Sequence, residues 1–177
     1  MAQPPETPDQ ATEHAKSYVE PFIYDTIAEP TYLQTLLVED IYLLGGQFAI
    51  LCQFDHPALA KGSYTHSSFA TRIANRLQNT ARFLNTAVFG TQRQRNTIFS
   101  VIHKYHAHVK GEGYDANDPD LHKWTAATLF VAIVVVHEAV FGKLPYDLLE
   151  ILYKESAVFE TSLRMPPEMW PATLDDF

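Results

Sequence analysis

Histidine is the residue type in this sequence that is best suited to chemistry, and the histidines cluster. Of the eight histidines, four lie within about twenty positions, at His103, His106, His108 and His122. His103 and His106 are three residues apart, so on a helix they would occupy neighbouring surface positions. An inward-facing imidazole there could bind a metal ion or move protons, or it could be a core residue hydrogen-bonded to a carbonyl. The residues alone leave both interpretations open.

Several other kinds of catalytic site are disfavoured by residue spacing. A di-iron carboxylate site would need Glu-x-x-His or His-Glu-x-x-His, and the helix predicted around the histidine cluster has neither. His137 and Glu138 are adjacent, so they diverge by about 100° around a helix. No Gly-x-Ser-x-Gly elbow is present to carry a serine nucleophile. The single cysteine, Cys52, excludes an intrachain disulfide and any cysteine-rich zinc or iron–sulfur site.

The composition is that of one apolar globular domain. The chain has 177 residues, a usual length for a single domain, and 46% of them are hydrophobic against 19% charged. Because the net charge is −8 and the basic residues form no compact patch, nucleic acid is not an expected partner. Residues 1–17 are polar and lack the apolar segment of a signal peptide. We expect a disordered tail there, followed by a helical domain over 18–177.

The most apolar stretch predicts a core helix. It runs over 124–136, is shorter than the roughly 20 residues of a membrane-spanning helix, and is followed by His137 and Glu138. We therefore interpret it as a buried central helix, and we expect a cytoplasmic protein without a transmembrane segment.

Helical periodicity dominates from about Ser17, and no run of alternating apolar and polar residues favours a sheet. The predicted fold class is all-α, a single-domain bundle of five or six helices. The predicted helices cover residues 31–53, 58–61, 70–88, 92–110, 120–141 and 145–163. Gly90 and Gly142 are expected to end two of them, and Asp118 before Pro119 to begin another.

The predicted helix over 92–110 carries the centre of the histidine cluster. Its apolar residues recur at i, i+3, i+4, i+7 and i+11, which predicts a core-facing stripe. The stripe consists of Ile98, Val101, Ile102, Tyr105 and Val109. His106 lies at the edge of that stripe and should therefore point inward.

Ordered motifs along the chain resemble those of a known family. They are Gly45-Gly46, 56–62 (HPALAKG), 75–80 (NRLQNT), 106–111 (HAHVKG), 113–121 (GYDANDPDL) and Trp124. In order and spacing, this set is similar to the catalytic domain shared by the rubber oxygenase (latex clearing protein) and the endoplasmic-reticulum-bound oxygenase of mycophenolic acid biosynthesis. The similarity covers about residues 45–173, which is most of the chain.

The resemblance implies a haem b protein in which His106 is the proximal iron ligand. Its imidazole would need an acceptor to orient the other ring nitrogen. Arg76 and Thr80 would line the distal side. Asn79 stands where the latex enzyme has a lysine that can cap the iron, which favours an open site for dioxygen.

His103 and Tyr114 complete the candidate site, His103 as a catalytic residue and Tyr114 as a contact of the cofactor. The chain also departs from the family pattern. Ala126 stands where the family usually has a histidine, and the segment 57–75 has no Asp or Glu to supply the carboxylate base proposed for rubber cleavage. Relatives commonly continue beyond the position of Phe177, so we expect a haem pocket that is incomplete or completed by a second subunit.

The expected function is that of a haem b-dependent oxygenase or oxidase in secondary metabolism. Its substrate would be a lipophilic small molecule of the prenylated or terpenoid kind, and dioxygen its co-substrate. One alternative is a cofactor-free cyclase or isomerase in which His106, His103 and Tyr114 act as acid and base. Another is a non-catalytic partner protein whose apolar groove is covered by a second chain, for which a homo-oligomer is expected.

Overall fold

The computed structural model describes residues 29–66 and 69–177, with the side chains of 66–76 left outside the description. The described part contains seven α-helices and one two-stranded sheet, so the predicted all-α class is confirmed. The predicted number of five or six helices is too low, because the helix predicted over 31–53 is divided in two. The helices are α1 (Tyr32–Leu37), α2 (Gly45–Asp55), α3 (Pro57–His66), α4 (Phe69–Phe89), α5 (Gln92–His106), α6 (Pro119–Phe141) and α7 (Tyr146–Ser162). Strand β1 (Lys110–Gly111) pairs antiparallel with β2 (Tyr114–Asp115). The tail predicted over 1–17 lies outside the described residues.

The single helix predicted over 31–53 is wrong, because the chain divides there into α1, a 3-10 turn over Asp40–Leu44, and α2. The break falls at Glu39, whose backbone is extended, with φ −86° and ψ 123°. Leu33 on α1 is fully buried, whereas Leu44 is 66% exposed. Since α1 packs against α7 and α2 packs against α6, one straight helix could not serve both partners.

Helix α1 begins under a side chain from the other end of the sequence. Thr31, which precedes the helix, provides no side-chain cap. Instead, the carboxylate of Glu155 on α7 accepts hydrogen bonds from the backbone N–H groups of Thr31, Tyr32 and Leu33 at 3.0, 3.1 and 2.6 Å. It also accepts one from the Thr31 hydroxyl at 3.1 Å. A negative charge at a helix N-terminus satisfies open donors and suits the helix dipole, so Glu155 fixes α1 on α7.

Helices α2 and α6 are the most extensively packed pair among the described elements, and they run antiparallel. A Cβ atom at Gly45 would lie 3.2 Å from both the carbonyl oxygen of Ala132 and the Cγ2 of Val136. The side chain of Gln53, further along α2, donates to the Thr128 hydroxyl at 3.2 Å. The missing side chain at Gly45 therefore permits the close approach of α2 to α6.

Helix α5 differs from its prediction in length and in its buried face. It ends at His106 rather than at 110, because the chain turns there into β1. Val101 and Tyr105, assigned to the core stripe, are 56% and 67% exposed, while Arg95 and Phe99 are buried. The stripe was wrong at these two residues, because α4 packs from the side of Phe99, and it was right at Ile98 and Ile102, which pack against the core. Strands of two residues are too short to leave a periodic pattern, so sequence reasoning missed the sheet.

The helix ends were predicted with mixed success. The Asp118 carboxylate accepts from the Asp120 N–H at 3.0 Å and Pro119 follows it, which confirms this start of α6. Gly142, with φ 91°, ends α6 as expected. Gly90 also follows the last residue of α4, Phe89, as expected, although its φ is not positive. That glycine is needed for space, since a Cβ there would lie 2.4 Å from the carbonyl oxygen of Thr86.

Helix α6 is longer than the apolar stretch 124–136 suggested. Its 23 residues include an 18-residue window of mean hydropathy 1.8, of which 39% is buried, so by length and composition it could cross a membrane. Its inner face supplies core residues, including Phe130 and Ile133. Its outer face and that of α2 expose further apolar side chains, among them Phe48, Leu51 and Trp124.

We expect Glu155→Gln to lower the free energy of unfolding by about 1–3 kcal/mol, because one accepting oxygen above α1 becomes an amide that cannot accept. Urea denaturation followed by circular dichroism measures this change. Glu150→Gln is the matched control, since Glu150 lies on the same helix in an exposed ion pair with Lys154 at 3.0 Å. Such pairs contribute about 0–1 kcal/mol. Equal effects of the two variants would contradict the capping role of Glu155.

We expect alanine substitutions at Gly45 and Gly46, the two adjacent glycines of α2, to change the stability of the fold in opposite directions. Gly46→Ala should stabilise the fold by about 0.4–1 kcal/mol, because its Cβ meets only the flexible side chain of Leu77, at 3.5 Å. Gly45→Ala should destabilise it, because the backbone carbonyl of Ala132 cannot rotate away from the new methyl group. Thermal unfolding of both variants beside the parent decides the point. A Gly45→Ala protein as stable as Gly46→Ala would show that α2 and α6 are not in close contact.

Candidate functional site

Helices α4 and α5 form an antiparallel hairpin that sets the level of the candidate residues. Near the turn, the Arg95 guanidinium Nη2 donates to the Val88 carbonyl at 3.3 Å. One turn further on, the rings of Phe83 and Phe99 meet edge to face with centroids 5.8 Å apart. In each pair the two residue numbers add up to about 182. This constant sum gives the register of the hairpin, that is, which residues of α4 and α5 lie side by side.

The same register, extended away from the turn, relates the candidates on α4 to those on α5. It places Arg76 on α4 at the level of His106 on α5, and Asn79 and Thr80 at the level of His103. Thr80 is half-buried, and exposed Asn79 accepts a 3.5 Å hydrogen bond from Arg82. The backbone of Arg76 lies within α4, while its side chain is outside the description. The helical positions are consistent with a shared site, and the individual roles stay predictions.

His106 occupies the last turn of α5, half-buried as its expected inward direction requires. Its ring lies beside that of His122 on α6, with centroids 6.0 Å apart and planes inclined by 37°. His103, one turn earlier, is also half-buried, and its Nδ1 has no hydrogen-bond partner among the described residues. Three imidazoles from two helices thus share one region.

The loop over 107–118 folds back onto α5 and brings α6 to His106. The N–H of Val109 donates to the His106 carbonyl at 2.8 Å, and the N–H of Ala116 donates to the Val109 carbonyl at 2.9 Å. The Asn117 side-chain amide then donates to the His103 carbonyl at 3.3 Å. These bonds satisfy carbonyls at the end of α5 and hold the loop against the helix.

His122 closes this arrangement from α6. It is 6% exposed, and its Nε2 lies 2.8 Å from the carbonyl oxygen of Ala116. Burial lowers the pKa of His122 below its usual value, against an opposite effect of the Ala116 hydrogen bond. The ring is therefore neutral at pH 7. Sequence reasoning placed His122 in the cluster without a role, although its position four residues after the N-cap Asp118 puts it in the first turn of α6, beside the loop.

Tyr114 is held by glycines on two elements. A Cβ atom at Gly62 of α3 would lie 3.2 Å from its ring, and one at Gly111 would lie 2.7 Å from its hydroxyl oxygen. The Lys61 ammonium lies 5.8 Å from the ring centroid. Two of the motif glycines are thus explained by the packing of Tyr114 between α3 and β1. Its expected contact with a cofactor stays a prediction.

Two motif residues far apart in sequence also meet. The rings of His56 and Trp124 have centroids 5.8 Å apart, and the Trp124 indole N–H donates to the Cys52 carbonyl at 3.0 Å. Ala126, which stands where the family usually has a histidine, is fully buried. Buried Ala126 leaves the imidazoles of the α5–α6 region without that additional ligand candidate.

Two surface grooves lie elsewhere on α5. One, of about 450 Å³, is lined by residues between Asn85 and Val101, and another, of about 660 Å³, by residues between Gln92 and Lys104. Neither includes His106. Within the described residues, no group of three histidine, cysteine, aspartate or glutamate side chains is arranged to hold a metal ion. A haem would need one protein imidazole to hold it, and His106 is the residue that would supply it.

A second buried polar group lies near the C-terminal end of α7. Glu160 is 4% exposed, and its Oε2 has no hydrogen-bond partner among the described residues. Burial raises the pKa of Glu160 to about 8. Burial, and then the neighbouring Glu160 charge, raise the pKa of Tyr153 to about 12, and the Tyr153 ring stacks on Trp170 at 5.6 Å. Sequence reasoning missed Glu160 because no motif marks it.

The fold and the site together define the class of protein. It is an all-α domain with a histidine pair, His103 and His106, at the end of one helix. The chain belongs to the family described as ER-bound oxygenase mpaB/B'/Rubber oxygenase, catalytic domain, which it matches over residues 34–177. The resemblance inferred from the motifs is therefore confirmed. The domain is that of an oxygenase family.

Two curated relatives are 31% identical to the chain over 101 residues. They are Uncharacterized protein Mb2261 of Mycobacterium bovis and Uncharacterized protein Rv2237 of Mycobacterium tuberculosis. The matched segment covers 54% of this chain and 40% of each relative, well under two thirds of their length. No solved structure matches the chain significantly.

We expect stability to depend on pH through Glu160. Its folded-state pKa of about 8 is raised above the usual 4.5, so its contribution is fully present below pH 4.5 and is lost as the pH rises through about 8. Glu160→Gln should remove this loss and stabilise the protein at pH 9 by a few kcal/mol relative to the parent. Urea unfolding between pH 5 and 9 measures it, with Glu168→Gln, at an exposed position, as the control. Parallel profiles for parent and Glu160→Gln would refute the assignment.

Proposed function

We propose that this chain is a haem-dependent oxygenase domain that acts on a lipophilic small molecule. The observation that carries the proposal is the placement of the motif histidine of an oxygenase family, His106, at a helix end beside the buried ring of His122. A ligating imidazole needs a packed helix and an orienting neighbour, and this region offers both.

The donor chemistry of the region fits a haem. His106 would hold the iron, and bound haem would supply the activation of dioxygen. Thr80 and Arg76 lie across the α4–α5 hairpin from the histidines. In the proposed site their side chains donate hydrogen bonds to polar atoms of the substrate and orient it. Asn79 has a short neutral side chain, which leaves space that a lysine would fill.

The proposed substrate is lipophilic because the surroundings of α5 are apolar. Ile98 and Ile102, on the same helix as His106, are half-buried and pack against the core cluster. Apolar walls exclude water from a reacting centre and favour an apolar ligand. The prenylated or terpenoid class and the role in secondary metabolism stay predictions from the resemblance.

A second candidate function is cofactor-free acid–base catalysis by a cyclase or isomerase. One observation favours it: His103 and His122 both have a buried Nδ1 without a hydrogen-bond partner among the described residues. Such atoms could exchange a proton with a substrate.

The expected association with a second copy would use an apolar surface. The outer face of α2, on which Phe48 and Leu51 are exposed, provides one.

The test of the proposed function is a haemin titration followed by absorbance spectroscopy. We expect the parent to give a Soret band with one equivalent of haemin, and His106→Ala to lose or shift it because the axial imidazole is gone. His108→Ala is the matched control, since His108 is exposed two residues away and should leave the spectrum unchanged. A parent that fails to bind haemin would overturn the proposal and favour acid–base catalysis.

A further inference from the structure

The hydrogen bond between His122 and Ala116 defines which ring nitrogen of His122 carries the proton. A backbone carbonyl can only accept, so the Nε2 of His122 must donate to the Ala116 oxygen, at 2.8 Å. The ring is buried, and a neutral imidazole carries a single N–H, so the proton on Nε2 leaves Nδ1 without a hydrogen. His122 therefore presents a lone pair on Nδ1.

The Nδ1 lone pair of His122 is buried. His122 is 6% exposed, and its Nδ1 has no hydrogen-bond partner among the described residues. An unsatisfied buried acceptor costs about 1–3 kcal/mol, so native structures rarely keep one without a use for it. The neighbouring ring is that of His106, with its centroid 6.0 Å away.

The two rings are neighbours, with centroids 6.0 Å apart. A hydrogen bond between them requires the rings to approach until two nitrogens lie within hydrogen-bond distance. Hydrogen bonds of functional groups are often long in the free protein and shorten when the ligand binds. Iron ligation of one His106 nitrogen would leave the other as an N–H donor.

We propose that His122 is the positioning residue of His106: its Nδ1 accepts the N–H of the His106 nitrogen that does not bind iron. This inference rests on the proposed function. Such an acceptor fixes the orientation of a ligating ring and raises its basicity, and its loss typically weakens metal binding about 10–100-fold. Ala116 holds His122 in place, so the loop after α5 determines the orientation of the ligand at the end of α5.

Two conservative substitutions separate this role from a merely structural one. His122→Gln can keep the hydrogen bond to Ala116, because its amide nitrogen reaches the position of Nε2, but it has no acceptor where Nδ1 was. His122→Asn places an amide oxygen close to the position of Nδ1 and loses the bond to Ala116. His122→Gln therefore removes the proposed acceptor and keeps the bond to Ala116. His122→Asn keeps the proposed acceptor and removes the bond to Ala116.

The experiment measures haemin affinity and the midpoint potential of the haem-loaded protein for the parent and both variants, with urea unfolding of each haem-free protein as a check on folding. We expect His122→Gln to bind haemin about 10–100-fold more weakly, at a more positive potential, because a less basic ligand stabilises ferric iron less. His122→Asn should stay close to the parent in both.

The positioning role would be overturned if His122→Asn bound haemin more weakly than His122→Gln did. It would also be overturned if His122→Gln kept the affinity and potential of the parent. Either result would leave His106 ligation intact. A parent that does not bind haemin would overturn both the positioning role and the proposed function. The two failures are therefore distinguishable in one series of titrations.

Discussion

The candidate site depends on the hydrogen bond between the His122 ring and the Ala116 carbonyl, because this bond ties the loop after α5 to the first turn of α6. The loop itself is held to α5 by the Val109 N–H, which donates to the His106 carbonyl at 2.8 Å. The free carbonyls at the end of α5 thus accept hydrogen bonds from the loop, and His106 is the last residue of this helix. The position of the motif histidine is a consequence of how the chain turns back.

Helix α6 connects the loop after α5 to the rest of the fold. Its first turn carries His122, its middle packs on α2 at the close approach of Gly45, and Trp124 holds α2 near His56. Motif segments that are far apart in sequence thus converge on one helix. This convergence explains why an ordered set of short motifs, none decisive alone, could indicate the family from the sequence.

Features governed by local chemistry were predictable, and those governed by packing between elements were not. The start of α6 at Asp118 and its end at Gly142 follow from neighbouring residue types and were confirmed. The break at Glu39 and the buried face of α5 depend on which helices pack alongside, which a period of 3.6 cannot reveal. For the site, the motif indicates His106, whose role stays a prediction. The acceptor role proposed for His122 depends on a tertiary contact that no spacing encodes.

The proposal at the centre of this account is that His106 would hold a haem iron in a site oriented by the loop after α5. Crystallography of the haemin-loaded protein, with anomalous scattering at the iron edge, tests it most directly. The account predicts one iron peak at bonding distance from an imidazole nitrogen of His106, with the other nitrogen directed at His122. Iron bound by another residue, or absent from crystals of protein that had been given haemin, would contradict it.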